Sequence, residues 1–555
     1  IPYSNFRSRL VMKVMRLTGP QRERENTHPM NKKLICATPI AIAAALSLYA
    51  CGGDDVTAQP DITSIKTVVV IYAENRSFDN LYGNFPGANG LQNVTAASAM
   101  QVDRNGTPLA TLPQVWNGLT QTGVTPAVTQ AMTANLPNSP FAIDDPNGFN
   151  TPITATTRDL YHRFYENQMQ INGGKNDKFA AWADSGGLVM GHYTLNADKL
   201  PLWKIAQQYT LADNFFMGAF GGSFLNHQWL VCACTPTYPN ADKSPAVNSI
   251  SAVESDGVTL KVAANSPASA LTGAPKYVNS GNLTPDFYAI NTMQPPYQPS
   301  GNKPASGGDA NLADPGAATT LPAQTQQHIG DLLNNAKVSW AWYGGAWGAA
   351  VSAAQNGTSN VIYGANLTAP NFQPHHQPFN YFADLAPGSA NRSQHLLDGG
   401  LAGSEFIKAI DAGTLPQVSF YKPQGNLNEH PGYTDVASGD QHIADVISHL
   451  QKSPQWNNML VVVTYDENGG FWDHVAPPKA DRWGPGTRIP ALIISPYAKK
   501  GFVDHTQYDT TSILRFITRR YSLPTLPGIA TRDAALVSNG SKPMGDLTAA
   551  LNIKQ

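Results

Sequence analysis

Two short hydrophobic runs each stop at an adjacent pair of oxygen-bearing side chains. The run 67–73 (Thr-Val-Val-Val-Ile-Tyr-Ala) is followed by Glu74 and Asn75, and the run 459–465 (Met-Leu-Val-Val-Val-Thr-Tyr) by Asp466 and Glu467. Three carboxylates and an amide are hard oxygen donors. Such a set suits one divalent or otherwise hard metal ion, Mg, Ca, Mn or a hard iron centre, better than thiolate-seeking metals. A single pair after a strand reads equally as a solvated turn or a helix cap; two pairs, each abutting an apolar run, keep ligation open beside that reading. A third feature is Gly218-Ala219-Phe220-Gly221-Gly222-Ser223, which leads into a helical pattern from Phe224 to Val231. It puts Ser223 at a helix N-terminus, where the dipole and free N–H groups favour an anion. Ser223 is then either a helix cap or a nucleophile activated beside a metal, with His227 one turn on. Histidines at 162, 375, 376, 395, 430, 442 and 474 lie in or near loops and supply candidates for phosphate binding and acid catalysis. The sequence has no HExxH, P-loop, GxGxxG or paired CxxC motif.

The elements that must position these residues follow from the apolar pattern. Short Val/Ile-rich runs read as central strands of a parallel sheet, and ligands on such sheets bind at the carboxyl ends of the strands. Further strands are expected at 338–343, 417–421 and 490–495, with a strand or its exit at 210–216. Helices are expected at 159–171, 200–209, 441–450 and 510–521. Strands alternating with helices predict an α/β sandwich around a mostly parallel sheet. Residues 84–155 and 235–325 are rich in Pro, Asn, Gly and Thr without a sustained period, and read as long loop insertions, the second a cap or subdomain over a site.

Bulk composition narrows the class. The chain has 555 residues, 42% hydrophobic and 14% charged, with a formal net charge of −2. A large core is affordable in one domain or two, and the absence of a basic excess excludes nucleic acid as a partner. From Met30, a basic start, an apolar stretch to Ala50 and then Cys51 describe a secretory signal at 30–51 with a lipobox-like cysteine. The expectation is an exported protein, periplasmic or attached to the outer membrane of a bacterium through a lipidated Cys51. Residues 52–65 would be the tether and 66–555 the working domain. Residues 1–29 carry no strand or helix pattern and are expected to be a mis-called start or a disordered extension. Cys232 and Cys234 are expected to be core thiols, since a disulfide across one intervening residue would be strained.

Read together, the segments at 74–79, 172–177, 220–227, 429–431, 466–474 and 488–490 resemble, in order, the bacterial phosphoesterase superfamily of acid phosphatase A and the non-specific phospholipases C. The resemblance runs from about Lys66 to Tyr521. It implies an alkaline-phosphatase-like three-layer α/β/α sandwich. It further implies a metal held by Glu74, Asn75, Asp466 and Glu467, and Ser223 as nucleophile and further ligand. His162, His376 of the 375–376 pair, and His430 would contact the phosphoryl group or protonate the leaving oxygen. Phospholipase-like members resemble one another in using threonine at the nucleophile position. Ser223 is closer to the acid phosphatases, so the expected function is a metal-dependent phosphomonoesterase acting on a phosphate ester substrate through a phosphoserine intermediate. The alternatives are a phospholipase C cleaving phospholipid head groups and a non-catalytic lipoprotein that binds phosphorylated ligands.

Overall fold

The computed structural model describes residues 60–356 and 372–554; the expected signal at 30–51, including Cys51, lies outside them. Eight strands form the central sheet. In chain order they are β1 (Thr67–Ala73), β2 (Thr210–Ala212), β3 (Trp340–Gly345), β4 (Leu396–Gly400), β5 (Val418–Lys422), β6 (Met459–Tyr465), β7 (Ala491–Ile494) and β8 (Phe502–Asp504). Across the sheet the order is β8-β2-β7-β6-β1-β5-β3-β4. β1 pairs in parallel with β5 on one side and β6 on the other; β3 pairs in parallel with β5 and β4, and β8 with β2. Only β7 runs against its neighbours, β2 and β6.

The two apolar runs fold as adjacent central strands because neither face of β1 or β6 meets water. Burying each Val, Leu or Ile on them contributes about 1.5–3 kcal/mol, and a strand buried on both faces needs cover on both. The helices used below are α1 (Phe164–Ile171), α2 (Pro201–Gln208), α3 (Ser223–Cys232), α4 (Ile329–Asn335), α5 (Ser404–Asp411), α6 (Val436–Lys452) and α7 (Thr511–Arg520). They gather in two groups: α6 packs on α2 and α5, while α3 packs on α4 and α7. The result is the expected α/β sandwich around a mostly parallel sheet. Register then does the positioning. Ala73 is paired with Tyr465, so Glu74 and Asp466 leave the sheet side by side although 391 residues separate Asn75 from Asp466.

Several expectations are corrected. α1 begins at Phe164 rather than 159, because Arg163 is extended (φ −102°, ψ 161°) and caps the helix; the preceding residues run as loop and carry His162 toward the sheet edge. The 210–216 segment is two pieces, β2 and a short strand Phe215–Phe216. Cys232 and Cys234 are joined as a disulfide. Ala233 between them adopts a left-handed conformation (φ 48°), which ends α3 and brings the two Cα atoms to 5.1 Å, an ordinary bridging distance. His395 and His442, two of the histidines held open for chemistry, are core residues. His395 stacks on Trp340 and bonds its carbonyl oxygen, and His442 pairs with the Tyr421 hydroxyl at 2.8 Å.

Candidate active site

Glu74, Asn75, Asp466 and Glu467 are fully buried at the carboxyl ends of β1 and β6. Their backbones are tied to one another. The Asn75 N–H donates to Asp466 Oδ1 at 3.1 Å, the Glu467 N–H to the same oxygen at 2.8 Å, and the Arg76 N–H to the Glu467 carbonyl at 3.0 Å. Asn75 holds a positive φ of 64°, which asparagine tolerates better than most residues. Asn75 Oδ1, Asp466 Oδ2 and Glu467 Oε1 have no hydrogen-bond partner, and Glu74 Oε1 is met only by the ion-pair contacts of His376 and Lys422. Buried oxygens are rarely left so. Unpaired oxygens from three of these residues, beside the Glu74 carboxylate at one sheet edge, fit a hard cation by donor type.

Ser223 comes to this edge on α3. Gly222, not Ser223, is the N-cap residue, and Ser223 is the first residue of the helix. Its side chain is therefore free of the capping role. The hydroxyl lies beside the Asp466 carboxylate and favours its charged form. The two glycines before it are required by close packing. A β-carbon on Gly221, itself at φ 91°, would come within 2.6 Å of the Phe164 nitrogen, and one on Gly222 within 2.9 Å of the His162 carbonyl oxygen. The same approach puts His162 next to Ser223. Asn226 pins the turn, accepting from the Ala219 N–H and donating to the Ala219 and Gly222 carbonyls.

A cleft of about 330 Å³ opens onto Ser223 and is lined by His162, Arg163, Asn291, His375 and His430 among others. His162 and His430 are oriented alike. The Nδ1 of each bonds a backbone carbonyl, of Leu160 and Pro431 respectively, and each Nε2 faces Asn75 Nδ2, at 3.4 and 3.1 Å. His162 Nε2 is also 3.4 Å from Glu467 Oε1, and His430 Nε2 3.7 Å from Glu74 Oε2. His376 turns its Nε2 onto Glu74 Oε1, whereas His375 lines the cleft. His227 lies beneath, 3.8 Å from Asp466 and stacked on His376, its Nδ1 donating to the Ser223 carbonyl. Lys422 carries no signal in the sequence motifs. This lysine ends β5, is fully buried, and places Nζ 2.7 Å from Glu74 Oε1. Tyr433, another residue outside the sequence motifs, donates its hydroxyl to Glu74 Oε2 at 3.0 Å.

These charges do not balance evenly. Burial raises Glu74, but the charges of His376 and Lys422 outweigh it and hold the carboxyl well below its ordinary range. Burial pushes Asp466 up to about 7, with Lys422 offsetting part of the rise. Burial and the neighbouring Asp466 drive Glu467 well above the ordinary value. Burial lowers His162, His227, His375 and His430, and takes His376 down to about 4.

A second acid-rich cluster fastens the loops that carry these groups. Arg488 donates through Nε to Asp473 Oδ1 (2.9 Å) and through Nη2 to Asp79 Oδ1 (3.0 Å). Its Nη1 donates to the carbonyls of Asn89 and Asp213. The Asp79 N–H donates to Asp473 Oδ2, while Asp79 Oδ2 receives the His474 N–H and Nδ1. Ser77 donates to the Trp472 carbonyl, Trp472 Nε1 to the Asn176 carbonyl, and Asn176 Nδ2 to the Asp473 carbonyl. Four of the sequence motifs, at 74–79, 172–177, 466–474 and 488–490, are thus one interlocked structure. The grouping of Asp79, Asp473 and His474 resembles a metal site in composition, but its carboxylates are already bonded and Arg488 supplies the cation.

The Phosphoesterase family model matches residues 65–524. Among relatives, "Phospholipase C B" of Mycobacterium tuberculosis is 24% identical over 88% of this chain and 78% of its own length. "Non-hemolytic phospholipase C" of Pseudomonas aeruginosa is 31% identical over 25% of this chain and 24% of its own. A solved alkaline phosphatase superfamily protein from Vibrio parahaemolyticus aligns at a TM-score of 0.26 and 10% identity, over 60% of this chain and 63% of that one; at that distance the fold is read from the sheet itself. The chain belongs to the Phosphoesterase family and is a hydrolase acting on phosphoric ester bonds.

Proposed function

We propose that Glu74, Asn75, Asp466, Glu467 and Ser223 hold one divalent or hard metal ion, and that the enzyme is a phosphomonoesterase of acid phosphatase type. The observation that carries this reading is the Ser223 hydroxyl, free of capping, beside Asp466 and open to a cleft shared with His162 and His430. Ser223 Oγ attacks phosphorus and its proton leaves to solvent through the cleft. The bond from phosphorus to the leaving oxygen breaks as His430 or His162 delivers a proton from Nε2. The N-terminus of α3 faces the charge on the phosphoryl oxygens. Water then attacks the phosphoserine, the histidine takes its proton, and Ser223 recovers a proton from solvent in the cleft. A bound metal ion would supply positive charge for the phosphoryl oxygens and ease ionisation of the hydroxyl. Burial lowers both cleft histidines, so the acid that protonates the leaving group is lost as pH rises, which supports an acid optimum.

The phospholipase C reading stays as the second, favoured by phospholipase C relatives that align over most of this chain. Turnover of p-nitrophenyl phosphate beside p-nitrophenyl phosphorylcholine separates the two. We expect monoester turnover, with Ser223→Ala reducing kcat by on the order of 10³-fold or more. Preference for the choline diester would move the assignment to phospholipase C. Turnover of neither, across pH and metals, would leave a phosphate-ligand-binding protein. Among the described residues no helix is long and apolar enough to cross a membrane. The segment 30–51 supports export, with Cys51 as the attachment point.

A further inference from the structure

Among the described residues, the buried Lys422 differs from the buried Arg488 and Arg532 in how its charge is met. Arg488 spends its guanidinium on aspartates and carbonyls, and Arg532 likewise bonds Asp509, Asp481 and the Gly218 carbonyl. Lys422 Nζ is fully enclosed, close to Glu74 Oε1 at 2.7 Å and 5.4 Å from the Tyr72 ring, yet it has no aligned hydrogen bond. Its Nζ carries three donors, and its ion pair is with the Glu74 carboxylate. A buried charge that neglects hydrogen bonds is costly unless an electrostatic partner requires it. The partners here are the carboxylates of Glu74 and Asp466, which share one buried site with Glu467. Lys422 favours the charged form of Glu74 and of Asp466, and disfavours a further positive charge on His227 and His376.

We propose that Lys422 is the resident second cation of the active site, so that one divalent ion and one ammonium together neutralise the three carboxylates. This rests on the reading of Glu74, Asn75, Asp466 and Glu467 as ligands of a single metal. In two-metal phosphatases a second ion supplies the additional charge; here the chain supplies it from the end of β5. Lys422 is therefore a positioning residue. It holds Glu74 by charge and raises the potential felt by a phosphoryl group, while competing with the metal for the same carboxylate.

That competition gives two effects of opposite sign. Removing the charge leaves a more negative site, which binds a divalent cation more tightly and an anion more weakly. A merely structural lysine, when lost, weakens both. The experiment titrates Mn²⁺ into the chelator-stripped full-length protein by calorimetry, and then inorganic phosphate into the Mn²⁺-loaded protein, for wild type, Lys422→Met and Lys422→Gln. We expect one Mn²⁺ per wild-type chain. In the variants Mn²⁺ should bind at least about tenfold more tightly and phosphate at least about tenfold more weakly. Shifts in the same direction, or no shift in either affinity, overturn the proposal. Two Mn²⁺ per wild-type chain overturn it without reference to any variant, which covers the case in which neither variant folds. No Mn²⁺ bound by the wild type overturns the metal reading itself, a failure visible before any variant is measured.

Discussion

The two acid-rich clusters at this sheet edge are built from the same two loops and differ in one respect. Around Arg488, each carboxylate oxygen of Asp79 and Asp473 receives at least one hydrogen bond. Around Asp466, buried oxygens of Asn75, Asp466 and Glu467 receive none, and Glu74 Oε1 has only its ion-pair contacts with Lys422 and His376. Burial alone does not explain the contrast, since both clusters are closed to water. A polar network completed by its own chain gains rigidity; one left incomplete costs stability and is kept where a ligand completes it. The first cluster fixes the distance between the loops, and the second uses that distance.

The contrast breaks most sharply under substitution of Arg488. Arg488→Met leaves Asp79 and Asp473 as buried carboxylates without their cation, and we expect a loss of about 3–5 kcal/mol in urea denaturation. Ser223→Ala, which removes no cap, should change stability by less than about 1 kcal/mol while removing turnover. If Ser223→Ala destabilised as much as Arg488→Met, the division between fastening and working clusters would be lost.

Next in size is an effect of the opposite sign. Glu467→Gln keeps the side-chain oxygen for the Gly469 N–H and removes one of the crowded charges. The metal-free variant should therefore be more stable than wild type at pH 8, by about 1–2 kcal/mol, while losing divalent-ion affinity. The pH dependence sharpens this. Asp466 titrates near 3.8 when unfolded and about 7 when folded, so the folded state binds the extra proton in that window and stability falls as pH rises through it. His376, at about 4 folded against 6.5 unfolded, acts in the opposite direction, but only up to pH 6.5. Above that the fall is unopposed by this histidine, and Glu467, raised well beyond 4.5, extends it. Asp440, pushed up to about 7 by burial, adds the same sign at a distance, so the measurement is the difference between wild type and Glu467→Gln at pH 6.5 and 8. An equal slope in both would remove Glu467 from the account.

Much of this arrangement was legible in the chain because strand burial and side-chain type are written locally. The apolar runs ending at Ala73 and Tyr465 mark their own burial, and the residues that follow them mark the sheet edge. Direction and partners are not written locally. The 490–495 run reads as a buried strand whichever way it points, and its antiparallel course as β7 is set by the loop that returns it between β2 and β6. Lys422 looks like an ordinary strand end until the pairing of β5 with β1 brings it against Glu74. Leu396–Gly400 and Phe502–Asp504 are too short, and the former too glycine-rich, to signal a strand. The Cys232–Cys234 bridge depends on the left-handed turn at Ala233, which an alanine does not announce.

The smallest expected effect lies at the edge of the fastening cluster, where the two regions come nearest to behaving alike. His474 is the partly accessible member, its side chain 10% exposed, donating to Asp79 Oδ2 at 2.7 Å. Burial lowers its basicity, but the hydrogen bond and charge of Asp79 prevail and the ring titrates above 6.5. A histidine raised by its partner contributes stability that is fully present below pH 6.5 and lost as pH rises through the folded value. His474→Asn should thus cost about 1–2 kcal/mol at pH 5.5 and less at pH 9, as read from urea midpoints at the two pH values. The metal-free working cluster, with its raised carboxylates, also loses stability as pH rises through neutrality, so pH alone does not distinguish the two. A divalent ion does: it should flatten the slope contributed by Asp466 and Glu467 and leave the difference between wild type and His474→Asn unchanged. If the ion altered that difference too, the clusters would be one coupled network, and the completeness of the hydrogen bonds around Arg488 would have to be counted as part of the ligand site.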